Sequence, residues 1–277
     1  MFKSYWWYRC RAYVMILKNT VSKIFFGGKR RTREFVLSEY ASRWAASVNN
    51  VGASAGKLRP ALLHGELVFL RGLDHVKYFI SQISREINEL HPEKVLELGS
   101  GNGFNILALA ALNPDVKIWC GVELTHEGVE ASQKLFTNPP YRELKYVTGI
   151  PKEKLEILLG SKTRIIQFIQ GDILSLPYRD REFEFVFSCF VIEQIPRDYS
   201  KAFREAYRVS KIRGLFIEAF AEAQKNIFEI MHLWNMDYFR SSIHEVEEAG
   251  FTIIKFELLK SKKLEFTGGV LLCERKM

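Results

Sequence analysis

Residues 95–104 read Val-Leu-Glu-Leu-Gly-Ser-Gly-Asn-Gly-Phe and carry the strongest chemical signal in the chain. Gly99, Gly101 and Gly103 make a tight turn and let the backbone approach a ligand closely. The dinucleotide fingerprint G-x-G-x-x-G would need its third glycine at 104 or 106, where Phe104 and Ile106 stand. No Gly-Lys-Ser/Thr follows, so a P-loop is excluded. Glu97 lies two residues before the first glycine. A carboxylate there repels a pyrophosphate and suits an ammonium.

Three further groups follow in order. Glu123, in Gly121-Val-Glu123-Leu124, is 20 residues beyond Gly103. An acidic residue at that distance can accept hydrogen bonds from both hydroxyls of a ribose. In Gln170-Gly171-Asp172-Ile173, Asp172 can accept from an exocyclic amine and Ile173 can lie against an adenine face. The run 185–196 is apolar at first, through Ser188, Cys189 and Phe190, and then offers Glu193 and Gln194 as a polar rim.

The elements that must position these groups are short apolar runs separated by helical spacing. The pattern predicts strands at 94–98, 116–122, 164–170, 183–189 and 215–219, and two final strands at 251–259 and 268–274. Helices are predicted at 35–48, 73–90, 105–112, 127–136, 155–158, 197–209 and 228–248, with a loop at 49–57 and a chain break at 138–140. Alternating strands and helices imply a parallel sheet covered on both faces. The last two strands lack room for a crossover helix and should pair antiparallel. The expected fold is therefore α/β: a doubly wound Rossmann-like sheet, mostly parallel with an antiparallel C-terminal strand pair, plus an N-terminal helical extension. The expected division is an extension or lid over 1–72 and a catalytic domain over 73–277.

Four motifs in this order and spacing resemble the class I S-adenosylmethionine (SAM)-dependent methyltransferases, especially the small-molecule group, over roughly residues 75–220. The resemblance implies SAM as cofactor. It implies that Gly99, Gly101 and Gly103 face the methionine part, with Glu97 near the amine and Ser100 and Phe104 beside them. Glu123 and Leu124 would hold the ribose, Asp172 and Ile173 would flank the adenine, and Ser188 and Cys189 would border the methyl. Many relatives place an acidic residue and His after the fourth strand. Here the pair is Glu193-Gln194, and Gln cannot act as a base.

Methyl transfer from a sulfonium mainly needs alignment of the acceptor. A hydroxyl acceptor also needs a proton acceptor within about 3 Å. Glu193, Glu218 and His232 are the candidates, with Glu222 beside them. Each has a structural alternative: a loop hydrogen bond for Glu193, a strand-end anchor for Glu218, a solvated charge for Glu222 and a packed pocket wall for His232. His126 reads as a helix cap or a solvent-facing side chain. The expected acceptor is small or amphipathic, with O-methylation of a sugar or lipid-linked glycan first. SAM binding without turnover, as a pseudo-enzyme or interaction partner, is the alternative, and a nicotinamide oxidoreductase stands third.

The 277 residues are 47% hydrophobic and 26% charged, enough for a full core and against disorder. Residues 1–60 hold twelve Lys/Arg against two Asp/Glu, so the basic excess sits there and the rest of the chain nets −2. The catalytic part is thus not marked for nucleic acid. Asn138-Pro139-Pro140-Tyr141 looks like a base-methylation motif but follows the wrong strand. The aromatic and basic residues 1–33 suit either an anionic membrane surface or a helix docked on the core. The run Ala12–Leu17 is too short for a signal peptide, and no run reaches the roughly 20 apolar residues of a membrane span. Four dispersed cysteines without CxxC suggest no metal site and a reducing cytoplasm. The expected location is cytoplasmic, peripheral at the inner membrane face if the membrane reading holds.

Overall fold

The computed structural model describes residues 2–28, 30–47, 58–63, 66–195, 197–238, 242–259, 261–263 and 267–276. Two helices, α1 (Phe2–Phe26) and α2 (Arg33–Ser47), precede a hairpin of β1 (Arg59–Leu63) and β2 (Glu66–Leu70). The core then runs α3 (Gly72–Leu90), β3 (Lys94–Leu98), α4 (Phe104–Leu112), β4 (Ile118–Glu123), α5 (His126–Thr137), α6 (Tyr141–Thr148), α7 (Lys152–Leu159), β5 (Ile165–Gln170) and β6 (Phe183–Cys189). It ends with α8 (Tyr199–Val209), β7 (Ser210–Glu218), α9 (Ile227–Met236), α10 (His244–Glu248), β8 (Phe251–Leu258), β9 (Ser261–Lys263) and β10 (Gly269–Arg275).

Seven strands form the main sheet in the order β5-β4-β3-β6-β7-β10-β8. The first five are parallel, and β10 lies antiparallel between β7 and β8. The strands bury both faces by alternation, as a pleated strand must when helices cover it on both sides. Val95, Phe185, Phe187, Leu215 and Ile217 face one layer, with Ile80, Ile83 and Ile87 of α3 and with α4. Leu96, Leu98, Val186 and Phe216 face the other, with Phe203 of α8. The buried spacing 80, 83, 87 is the apolar stripe expected of α3.

Several expectations change in detail. The helix predicted over 228–248 is two helices, because α9 ends at Asp237 in left-handed backbone with φ 53°. The Pro139-Pro140 break leads directly into a helix, α6, since proline fits a helix's entry. Thr125, not His126, caps α5: its hydroxyl accepts from the Gly128 N–H at 3.2 Å, while His126 is exposed beside Glu130. The hairpin β1–β2 was not foreseen; β9 adds to it, giving the small sheet β2-β1-β9. The loop expected at 49–57 lies outside the described residues, as does Val48.

Candidate active site

The parallel strands β3, β4, β5 and β6 all end at one edge, and the turns leaving them line a cavity of about 480 Å³. Open α/β sheets bind ligands at this place, where strand order reverses. The reversal here falls between β3 and β6.

The turn after β3 is held open by backbone that only glycine adopts freely. Gly101 has φ +55°, and a Cβ there would stand 2.5 Å from the Trp44 ring. Gly103 has φ +76° and occupies the N-cap of α4. The Ser100 N–H donates to the Val122 carbonyl at 2.9 Å, which pins the turn to β4.

Glu97 ends inside the protein, only 1% exposed. Its Oε1 accepts from Asn105 Nδ2 at 2.8 Å, and its Oε2 has no partner. Burial pushes its carboxyl up to about 8, against the Asn105 hydrogen bond and with help from the Glu123 charge. The Ser100 hydroxyl is likewise buried without a partner. An unsatisfied carboxylate oxygen and an unsatisfied hydroxyl, next to a backbone without side chains, fit the ammonium and carboxylate ends of an amino acid.

Glu123 is committed on both oxygens. Oε2 accepts from the Gly101 N–H at 3.1 Å, and Oε1 accepts from the Thr125 N–H at 3.0 Å and its hydroxyl at 2.7 Å. A carboxylate offers about four lone-pair sites, so capacity for a ligand hydroxyl remains. Asp172 Oδ1 accepts from the Leu174 N–H at 2.9 Å, and Oδ2 pairs with Arg33 at 3.0 Å.

Of the residues singled out for the cofactor, Gly99, Ser100, Gly101, Phe104, Glu123, Leu124, Asp172, Ile173 and Cys189 line the cavity. Glu97, Gly103 and Ser188 stand behind its wall. Ser188 donates to Glu218 Oε1 at 2.6 Å, with neither residue exposed. The Cys189 thiol is pushed well up by burial, then by Glu218, Glu97 and Glu193, and stays protonated.

None of the three candidate bases lines the cavity. Glu218 anchors the turn after β6: it accepts from the N–H groups of Val191 and Ile192 on Oε1 and of Glu193 on Oε2, each at 3.2 Å. Burial moves it up to about 7, opposed by these bonds and by Ser188. His232 is half-buried on α9, the helix that packs against α1. Glu193 is buried beside the wall residue Gln194, which donates to its Oε1 at 3.0 Å. It is close enough to Tyr40 and Tyr238 to raise both phenols, after burial as the larger cause. Glu222 is exposed and accepts from Ser242 and from the Ile243 N–H.

Four of the residues that sequence reasoning missed come from α2. Val36, Tyr40, Arg43 and Trp44 wall the cavity opposite the glycine turn. Their spacing of four, three and one residues puts them on one helix face, a signal visible in the sequence. Nothing in the sequence says that this face meets the turn of β3.

Residues 96–217 match a family model described as a methyltransferase domain. A demethylmenaquinone methyltransferase of Roseiflexus castenholzii is 30% identical over 121 residues, which are 44% of this chain and 40% of that protein. The chain thus matches well under half the length of that relative. Two solved structures share the fold. The [4+2]-cyclase SpnF superposes with TM-score 0.61 at 14% identity, covering 89% of this chain and 97% of that one. The magnesium protoporphyrin IX methyltransferase of Synechocystis PCC 6803, solved with S-adenosylhomocysteine (SAH), superposes with TM-score 0.59 at 12% identity, covering 88% and 100%. Residues 96–217 are thus similar to methyltransferase domains, and the mostly parallel sheet around them has the fold of a methyltransferase solved with SAH.

Proposed function

We propose that the protein transfers a methyl group from SAM to a small or amphipathic acceptor, with a hydroxyl of a sugar or lipid-linked glycan as the first acceptor to test. The observation that carries this reading is the pair of unsatisfied buried atoms, Glu97 Oε2 and Ser100 Oγ, at a turn of three positive-φ glycines. SAM brings an electrophilic methyl on a positive sulfur. The chain's part is placement: Glu97 draws the ammonium, Glu123 takes a ribose hydroxyl, Asp172 takes an amine hydrogen, and Ile173 supports the adenine. If both ribose hydroxyls bind Glu123, the Gly101 N–H must share its oxygen.

The acceptor side is mostly apolar, walled by Val36, Trp44, Leu73, Val76, Phe190 and Ile195, with Tyr40, Arg43 and Gln194 as polar points. Such a wall suits an acceptor with a ring or chain and few polar groups. The relative named for demethylmenaquinone and the neighbour named for a protoporphyrin fit the same pattern. Glu193, behind Gln194, is our choice of proton acceptor for a hydroxyl. Helix α2 is the lid, and residues 1–33 place the protein against an anionic membrane surface, where an amphipathic acceptor is met.

Calorimetric titration with SAM and SAH, followed by a methyl-release assay on an acceptor panel, tests this. Binding with turnover on a hydroxyl acceptor, lost in Glu193→Gln without loss of binding, is the expected result. Binding without turnover favours a SAM-holding protein with another role, a reading consistent with a fold neighbour named as a cyclase. No SAM binding overturns both, and tight NAD binding in its place revives the oxidoreductase.

A further inference from the structure

Helix α1 buries one face and leaves another bare. Ala12 and Ile16 are buried, and Thr20 and Lys23 continue the same side. This side meets α9: Tyr13 stacks on Phe228 with ring centroids 4.0 Å apart, Asn235 Nδ2 donates to the Ile16 carbonyl at 3.0 Å, and Lys23 sits 4.5 Å from the Trp234 ring. About a third of the way round the helix, Trp7, Cys10, Val14, Leu17, Val21 and Ile24 follow one another by three and four residues in alternation. All six are exposed, the five large ones by 44 to 64%. The stripe runs on into Phe25 and Phe26, 75% and 87% exposed. One or two exposed apolar residues need no explanation; a continuous stripe along a helix does.

Charge decides what the stripe faces. Residues 1–33 contain nine Lys/Arg and no Asp or Glu. Arg31 is buried and Arg33 pairs with Asp172, whereas Arg11, Lys18 and Arg30 are exposed. Arg11 stacks 5.4 Å from the Trp7 ring, and with Lys18 it borders the stripe on one flank. The three-four spacing is also that of a coiled-coil seam. A second copy, however, would bring the same cations to the flanks and no carboxylate to meet them. An anionic lipid surface supplies the opposite charge along its whole extent.

We infer that this stripe is an in-plane docking face for an anionic phospholipid surface. The apolar residues enter the boundary between headgroups and acyl chains, Trp6 and Trp7 sit at headgroup depth, and Arg11 and Lys18 extend to the phosphates. The helix lies on the membrane: no described helix is long and apolar enough to cross one. From Trp6 to Phe26 the contact is about 30 Å long. The inference sharpens the membrane part of the proposed function and does not depend on methyl transfer.

The test uses the full chain. Deleting α1 would bare the α9 surface it covers, so point variants are preferable. Sedimentation with phosphatidylcholine vesicles, with and without phosphatidylglycerol, should show binding only to the anionic vesicles, weakened by salt. The pair Val14→Asp/Leu17→Asp should lower that binding at least about tenfold. Arg11→Glu/Lys18→Glu should do the same, and both pairs should keep the wild-type melting temperature. Equal binding to both vesicle types, or none, overturns the inference. So does a wild-type dimer in light scattering that the Asp pair turns into a monomer without any vesicle binding, which would make a second copy the occupant. SAH titration of the same samples separates the two readings: vesicle binding without SAH binding upholds the docking face and removes the methyltransferase activity.

Discussion

At the scale of residues, the proposed site makes Glu97 the side chain whose state should follow the cofactor most directly. With its carboxyl raised to about 8, it is mostly neutral in the free protein at pH 7. An ammonium nearby favours the charged form, so binding should release a proton. SAH affinity is therefore expected to rise as pH climbs toward 8 and then level, with calorimetric heats that depend on the buffer's ionisation. Heats and affinity flat across that range would show that Glu97 is not coupled to the ligand. Glu97→Gln should weaken SAH binding about 10- to 100-fold, the effect of ~1.5–3 kcal/mol for a hydrogen bond to a charged group. Gly101→Val is expected to abolish binding, because φ +55° is strained for a β-branched residue and its Cβ would collide with Trp44. Wild-type affinity in that variant would place the cofactor elsewhere. The glycines and acidic residues of this turn were legible in the sequence because their chemistry is local. The candidate bases were not: whether Glu218 faces a cavity or its neighbours' N–H groups depends on the path of residues 190–194, and spacing does not encode that path.

At the scale of elements, α2 connects the extension to the glycine turn after β3. It sets Trp44 against Gly101 and Arg33 against Asp172, from opposite ends of one 15-residue helix. The Arg33 side chain is 61% exposed, so this pair by itself adds little stability. Its geometry matters more, since an adenine amine would share the Asp172 oxygen. If α2 closes over the ligand, SAH should raise hydrogen-exchange protection in residues 33–47 and leave α8 unchanged; equal exchange with and without SAH would leave α2 a fixed wall. The strand–helix alternation was readable because strands buried on both faces are near-continuous apolar runs. The hairpin of β1 and β2 escaped because Arg59-Pro60 and Glu66 interrupt any alternation. The extra turn of β7 through Lys211 and Arg213 escaped because charged residues at its start point to solvent or to Glu184, Glu86 and Glu89. The insertion of β10 between β7 and β8 is a property of the folded sheet and leaves no mark on periodicity.

At the scale of the whole molecule, two buried carboxyls set a pH dependence. Glu97 is raised to about 8 and Glu218 to about 7, from an ordinary 4.5. Between 4.5 and those values the native state holds protons that the unfolded chain has lost. Stability should therefore fall as pH rises through that window and flatten above it. Urea unfolding at mildly acid and mildly alkaline pH measures this, and Glu97→Gln should reduce the slope. A stability that rises over the same window would contradict the burial of both groups. Residues 269–277 carry an internal strand, so truncation before Gly269 is expected to prevent folding, visible as loss of native circular dichroism.

The pairing of β9 with β1 has a consequence for how the protein comes into being. The surfaces that receive α1, Arg31 and the hairpin are supplied late: α9 for α1, Asp237 for the Arg31 N–H, and β9 for the hairpin. A chain emerging from the ribosome must therefore carry α1 unsheltered while more than two hundred further residues are made. During that interval its aromatic side chains are open to whatever apolar surface is nearest, and a bilayer reached then is reached before the catalytic half has closed.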